Sequence, residues 1–146
     1  SANTESLPIR RWPVGMARAE SLCGPWARDH ARSPVEIEPV FIENPVVTRL
    51  RDDLWIALYD TQTPCAVGYS VSSDGKVWSE GRPLSVGETD GWAAQIRTPL
   101  GLVPMDDGNH TLYYTAYRRT SAQARDDIVP GGDGAVSFAT VKWEDA

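Results

Sequence analysis

The sequence predicts an all-β fold, and three observations carry that reading. Eleven prolines and twelve glycines punctuate the 146 residues, so the runs between turns are short. Those runs alternate apolar and polar residues or are rich in aromatic and β-branched side chains, with almost no helical period. Two sets of residue markers also recur along the chain at nearly one spacing, the sign of a repeated strand unit.

Taken in order, residues 14–20 (VGMARAE) alternate as a half-buried strand would, and stop at the turn residues 21–25 before Trp26. Residues 34–40 give another short alternating run. Residues 41–60 (FIENPVVTRLRDDLWIALYD) read as two β-type runs around the polar turn Arg51-Asp52-Asp53. Hydrophobic strands seldom place a carboxylate inside, unless it ends the strand, pairs with a cation or performs chemistry. Glu43, beside the strand-restricting Pro45, is therefore the first residue to explain. After a loop at 61–64, residues 65–71 (CAVGYSV) form a third run. Asp74-Gly75 supplies the positive-φ positions of a tight hairpin, with Trp78 starting the return strand toward Leu84-Ser85-Val86. A polar break at 87–91 precedes the run 92–103, a turn at Asp106-Asp107-Gly108 and a strong strand at 110–117. Residues 118–134 lack periodicity and read as a long exposed loop, and residues 135–143 close the chain as a final strand.

Length and composition narrow the class. A chain of 146 residues fits one domain with a real core. The net charge is −6 and the basic residues are scattered, which argues against a nucleic-acid partner. No apolar run approaches the roughly 18–20 residues that span a bilayer, so no membrane partner is expected. The N-terminus has no apolar core and does not read as a signal peptide; lacking an initiator Met, it reads as processed, tagged or excised. Cys23 and Cys65 make no disulfide framework, and neither they nor the isolated His30 and His110 stand at metal-ligand spacing. Both histidines fall in expected turns, with structural or surface roles. No metal or other cofactor is expected. Two free thiols fit the cytosol and one disulfide fits a secreted chain, so the compartment stays open.

The repeat converts the strand list into an architecture. Val14-Gly15-Met16-Ala17 is echoed 53 residues later by Val67-Gly68-Tyr69-Ser70, and the Gly24 and Trp26 that follow are echoed at nearly the same spacing by Gly75 and Trp78. Val136-Ser137-Phe138-Ala139 reads as a third copy of that strand. Glu43-Asn44-Pro45, followed by Asp52-Asp53, is echoed by Arg97-Thr98-Pro99, followed by Asp106-Asp107, at an offset of 54. A four-stranded unit of about fifty residues is the blade of a β-propeller. The expected architecture is a partial propeller of two to three four-stranded antiparallel blades. Residues 1–40 supply the outer strands of one blade, 41–90 a complete blade, and 91–146 most of a further one. Propellers close rings of about 4–8 blades, so a homo-oligomer or a second chain is expected to complete this one. Trp26 and Trp78, at one repeat position, are expected between blades, and Tyr59, Tyr113 and Tyr114 in the core.

The Glu-x-Pro at 43–45, the aromatic strand after it, and the Ser-x-Asp-Gly-x-x-Trp run from Ser72 to Trp78 together resemble the five-bladed β-propeller glycoside hydrolases. These include arabinanases, xylosidases and, more distantly, invertase- and levanase-type fructosidases. The runs Arg-Thr-Pro-Leu-Gly at 97–101 and Ser-x-x-x-Gly-Pro-Trp at 21–26 fit them too. The resemblance covers nearly the whole chain but about half of such an enzyme. It implies a carbohydrate partner and gives Glu43 the role of proton donor to the leaving-group oxygen. Apolar neighbours such as Phe41 and Ile42 suit that role by disfavouring the charged carboxylate. Glycoside hydrolysis needs two carboxylates flanking the bond, and the family's other carboxylate lies on an earlier blade. Asp60 is the candidate here, although an Asp ending a strand is commonly a turn residue. Asn44, Asp60, Trp92, Gln95 and Arg97 are the expected substrate contacts. Glu43 also has a purely structural reading, as the ion-pair partner of Arg97 from the equivalent place in the next repeat. A non-catalytic carbohydrate-binding or assembly fragment, oligomerising through open blade edges, is the alternative to an enzyme.

Overall fold

The computed structural model describes residues 12–39, 41–61, 66–86, 93, 95–117 and 134–143. Within them the chain is all-β, with three antiparallel sheets and one short 3₁₀ turn, His30–Arg32. A two-stranded sheet pairs β1 (Ala17–Arg18) with β2 (Ala27–Arg28). A four-stranded sheet runs β3 (Glu43–Arg51), β4 (Leu54–Asp60), β5 (Ala66–Ser72), β6 (Arg82–Ser85), each strand paired with the next. A three-stranded sheet follows in the same manner, β7 (Gln95–Pro104), β8 (His110–Tyr117) and β9 (Gly134–Val141). No helix among the described residues is long and apolar enough to cross a membrane.

The four-stranded sheet is covered on both faces. Alternate residues of β4 point opposite ways. Ile56 and Leu58 join Val67, Ile96, Leu102, Leu112, Tyr114 and Ala116 in the core shared with the β7–β9 sheet. Ala57 and Tyr59 face the other way, onto Ile37, Ile42, Val14, Val35 and Trp78. Two covered faces explain why β4 reads as the unbroken apolar run LWIALY rather than an alternating one. Gly68 lies opposite Tyr59, and a Cβ there would land on the buried Tyr59 ring, so the close strand approach requires glycine.

Several expected elements move, each for a hydrogen-bonding reason. The strand expected at 14–20 is regular only at Ala17–Arg18. Its flanking backbone groups bond to irregular partners: Val35 N–H to the Val14 carbonyl, Asp29 N–H to the Met16 carbonyl, and Met16 N–H to Ser33 Oγ. Residues 34–39 form no strand. The hairpin expected at Asp74-Gly75 is a wider loop closed by side chains. Ser72 Oγ accepts from Asp74 and Gly75 N–H at 3.2 and 2.9 Å, and Asp74 Oδ1 from Lys76 and Val77 N–H at 2.8 and 2.9 Å. The return strand accordingly begins at Arg82 rather than Trp78. His110 opens β8 instead of lying in a turn, and its Nδ1 accepts from the Trp143 indole at 3.3 Å. Tyr59 and Tyr114 are core, but Tyr113 is 41% exposed and Trp26 is 59% exposed, against expectation. Cys65 and the loop expected at 118–134 lie outside the described residues, apart from Gly134, which opens β9.

Candidate functional site

Glu43 and Arg97 occupy matching places in the first strands of adjacent sheets, and both strands depart from regular pairing just after them. In β3 the register shifts between Glu43 and Val46, and in β7 between Ile96 and Pro99. Each shift contains a proline, which has no N–H for the ladder. Asn44, immediately before Pro45, takes φ 49°, a left-handed conformation that Asn tolerates better than most residues. In β7 the Thr98 N–H turns to a side chain, donating to Thr115 Oγ1 at 3.1 Å. Bulges re-aim side chains, and here they bring the polar ends of β3 and β7 together.

The result is a compact polar cluster. Arg97 Nη2 donates to Glu43 Oε2 at 3.2 Å, and Arg97 Nε lies 3.9 Å from Asp60 Oδ2. Asp60 stands directly across the strand pair from Glu43. Its Oδ2 also accepts from Asn44 Nδ2 at 2.9 Å and from Thr98 Oγ1 at 3.2 Å. Asn44 and Thr98 meet at 3.5 Å. Asp60 is 2% exposed, and its Oδ1 is buried without a hydrogen-bond partner among the described residues. Burial pushes its carboxyl above the usual range; the bonds from Asn44, the Arg97 charge and Thr98 oppose that, and the Glu43 charge adds to it. The side chains of Glu43 and Arg97 keep 29% and 24% of their surface.

This geometry divides the work. Glu43 and Arg97 reach solvent side by side, one an acceptor and the other a fork of donors. Asp60 does not reach solvent; it holds Asn44, Thr98 and Arg97 in place. The ion pair between Glu43 and Arg97, read from the repeat, is present. Of the other expected contacts, Asn44 and Asp60 belong to the cluster. Gln95 opens β7 opposite Tyr117, while Trp92 lies outside the described residues. Thr98 was not singled out by the sequence; its signal is its place in the repeat, where it matches Asn44. Among the described residues no group of His, Cys, Asp and Glu side chains is fit to hold a metal ion. Comparison with protein-family models, curated proteins and solved structures finds no match for the chain.

Proposed function

We propose that the chain is part of a carbohydrate-active protein of the five-bladed β-propeller glycoside hydrolase type, its described sheets being blades of a partial propeller. A glycoside binds where β3 and β7 begin, with Glu43 as its acid group, Asn44, Gln95 and Arg97 around it, and Asp60 behind them holding Asn44 and Arg97 in place. The observation that carries this reading is the meeting of Glu43 and Arg97 from matching bulges in adjacent sheets. Half-buried charged groups set side by side suit sugar hydroxyls, which donate to a carboxylate and accept from a guanidinium.

A non-catalytic, saccharide-binding role is the second reading, and the burial of Asp60 favours it. Hydrolysis needs a second carboxylate facing the bond or its attacking water, and a side chain 2% exposed serves neither task. Catalysis then requires a base supplied from outside the cluster.

Calorimetric titration of the chain with arabino-, xylo- and fructo-oligosaccharides tests the site. Saturable binding is expected with at least one series, weakened about 10–100-fold by Arg97→Ala, the worth of a hydrogen bond to a charged group. Failure of every series to bind overturns both readings. If one binds and is also cleaved, loss of cleavage in Glu43→Gln with binding kept supports the acid role. Cleavage undiminished in that variant removes it.

A further inference from the structure

We propose that the chain associates with a second copy of itself head to tail, the outer face of the β7–β9 sheet receiving the β1–β2 end of the next molecule. This inference stands on the sheets and does not depend on the saccharide site.

The order of packing is the N-terminal segment, then the β3–β6 sheet, then the β7–β9 sheet. At the junction between the two large sheets described, Ile56 and Leu58 of β4 and Val67 of β5 face forward and are 0%, 1% and 0% exposed. The same pattern recurs one sheet later with no described residue packed on it. Thr115 stands opposite the bulge of β7 as Asp60 stands opposite that of β3. Counting back from those residues, Tyr113 takes the place of Leu58. Across the strands, Phe138 pairs with Tyr113 and Val136 with Thr115, as Tyr69 pairs with Leu58 and Val67 with Asp60. Yet Tyr113, Phe138 and Val136 are 41%, 67% and 64% exposed. The Tyr113 and Phe138 rings pack against each other, 6.2 Å between centroids, so the patch is continuous. The face is built like a covered one.

The opposite end is unfinished in a complementary way. Trp78 packs on the rear cluster around Ile37, Ala57 and Tyr59. Trp26 holds the matching repeat position just before β2 but is 59% exposed, and Leu22, in the turn that precedes it, is 90% exposed. Among the described residues, then, no sheet covers the outer face of β7–β9 and none packs on the Trp26 end. A second copy offers at its N-terminal end what the first lacks at its C-terminal end. Such a contact is heterologous, closing into a ring or extending as the rotation allows.

Sedimentation velocity over a concentration series tests the proposal. The wild-type mass is expected to rise above 16.0 kDa with concentration. Phe138→Glu and Trp26→Glu should each remain monomeric, and mixing the two should restore a one-to-one pair, because each retains the opposite intact end. That rescue is specific to head-to-tail contact. Circular dichroism checks that both variants keep the sheet signal; should Phe138→Glu lose it, Val136→Lys asks the same question. A wild-type monomer throughout the soluble range overturns the proposal. So does association abolished by Phe138→Glu and untouched by Trp26→Glu, which would mean that the face pairs with its own kind.

Discussion

Asp60 concentrates the chemistry of the cluster at the scale of one residue. Its carboxyl titrates above the ordinary 3.8 because the charge is buried, despite Asn44, Arg97 and Thr98. A folded pKa above the unfolded one means the native state binds the proton more tightly. The native state is therefore favoured below 3.8, and that advantage is lost as pH rises through the folded pKa. Asp60→Asn keeps an oxygen for Asn44 and Thr98 but carries no charge. The melting temperature of Asp60→Asn minus that of wild type should therefore increase as pH is raised above 3.8. A flat difference would show that Asn44, Arg97 and Thr98 balance the burial, and a falling one that they outweigh it. Glu43 was legible from its place in an apolar strand, and Arg97 from the repeat. Thr98 was not, because a threonine in a strand is ordinary until a bulge turns its hydroxyl onto a buried carboxylate.

The Ser72–Asp74 loop carries the lesson of the elements. Hydrogen bonds from Val77 and Lys76 N–H hold the Asp74 carboxyl down to about 2, against an ordinary 3.8. Here the sign is opposite to that of Asp60. The stabilisation is complete above 3.8 and is lost as pH falls through about 2. Asp74→Ala should lower the melting temperature near neutrality, and the gap to wild type should narrow as pH approaches 2. A gap independent of pH would mean the charge contributes nothing to the loop. The sequence marked a turn here because Asp-Gly fits one, and Gly75 does take φ 69°. It did not reveal the loop's width, since Ser72 and Asp74 satisfy by side chain the N–H groups a two-residue hairpin would have paired. The strands at 110–117 and 54–60 were legible almost to the residue, because dense β-type runs end there at turn residues. The strand at 14–20 was not. Its alternation is real, but its hydrogen bonds go to residues 29–35, which no local pattern announces.

At the scale of the whole molecule, the spacing of the repeat foretold that residues 54 apart would take matching places, and the Glu43–Arg97 pair does so. What the repeat could not foretell is which copies are covered. Tyr113 and Trp26 follow the pattern of buried residues and stand exposed, since burial depends on a neighbouring sheet and not on the residue's own strand. The same distinction predicts stability. Leu112 is fully buried between the two large sheets, among Ile56, Leu58 and Leu102. Leu112→Ala should cost about 2–5 kcal/mol through lost burial and the cavity left behind, a large share of the ~5–15 kcal/mol that holds a domain. Phe138→Ala, two-thirds exposed on the outer face of β9, should change the stability of the monomer by no more than about 0.5 kcal/mol. Urea titration of both variants at low protein concentration separates the cases. Because Leu112 packs against residues of both sheets, its loss should shift one transition seen alike by tryptophan fluorescence and circular dichroism. Two separable transitions would instead mean that each sheet stands by itself, and that their shared core does not make them one unit.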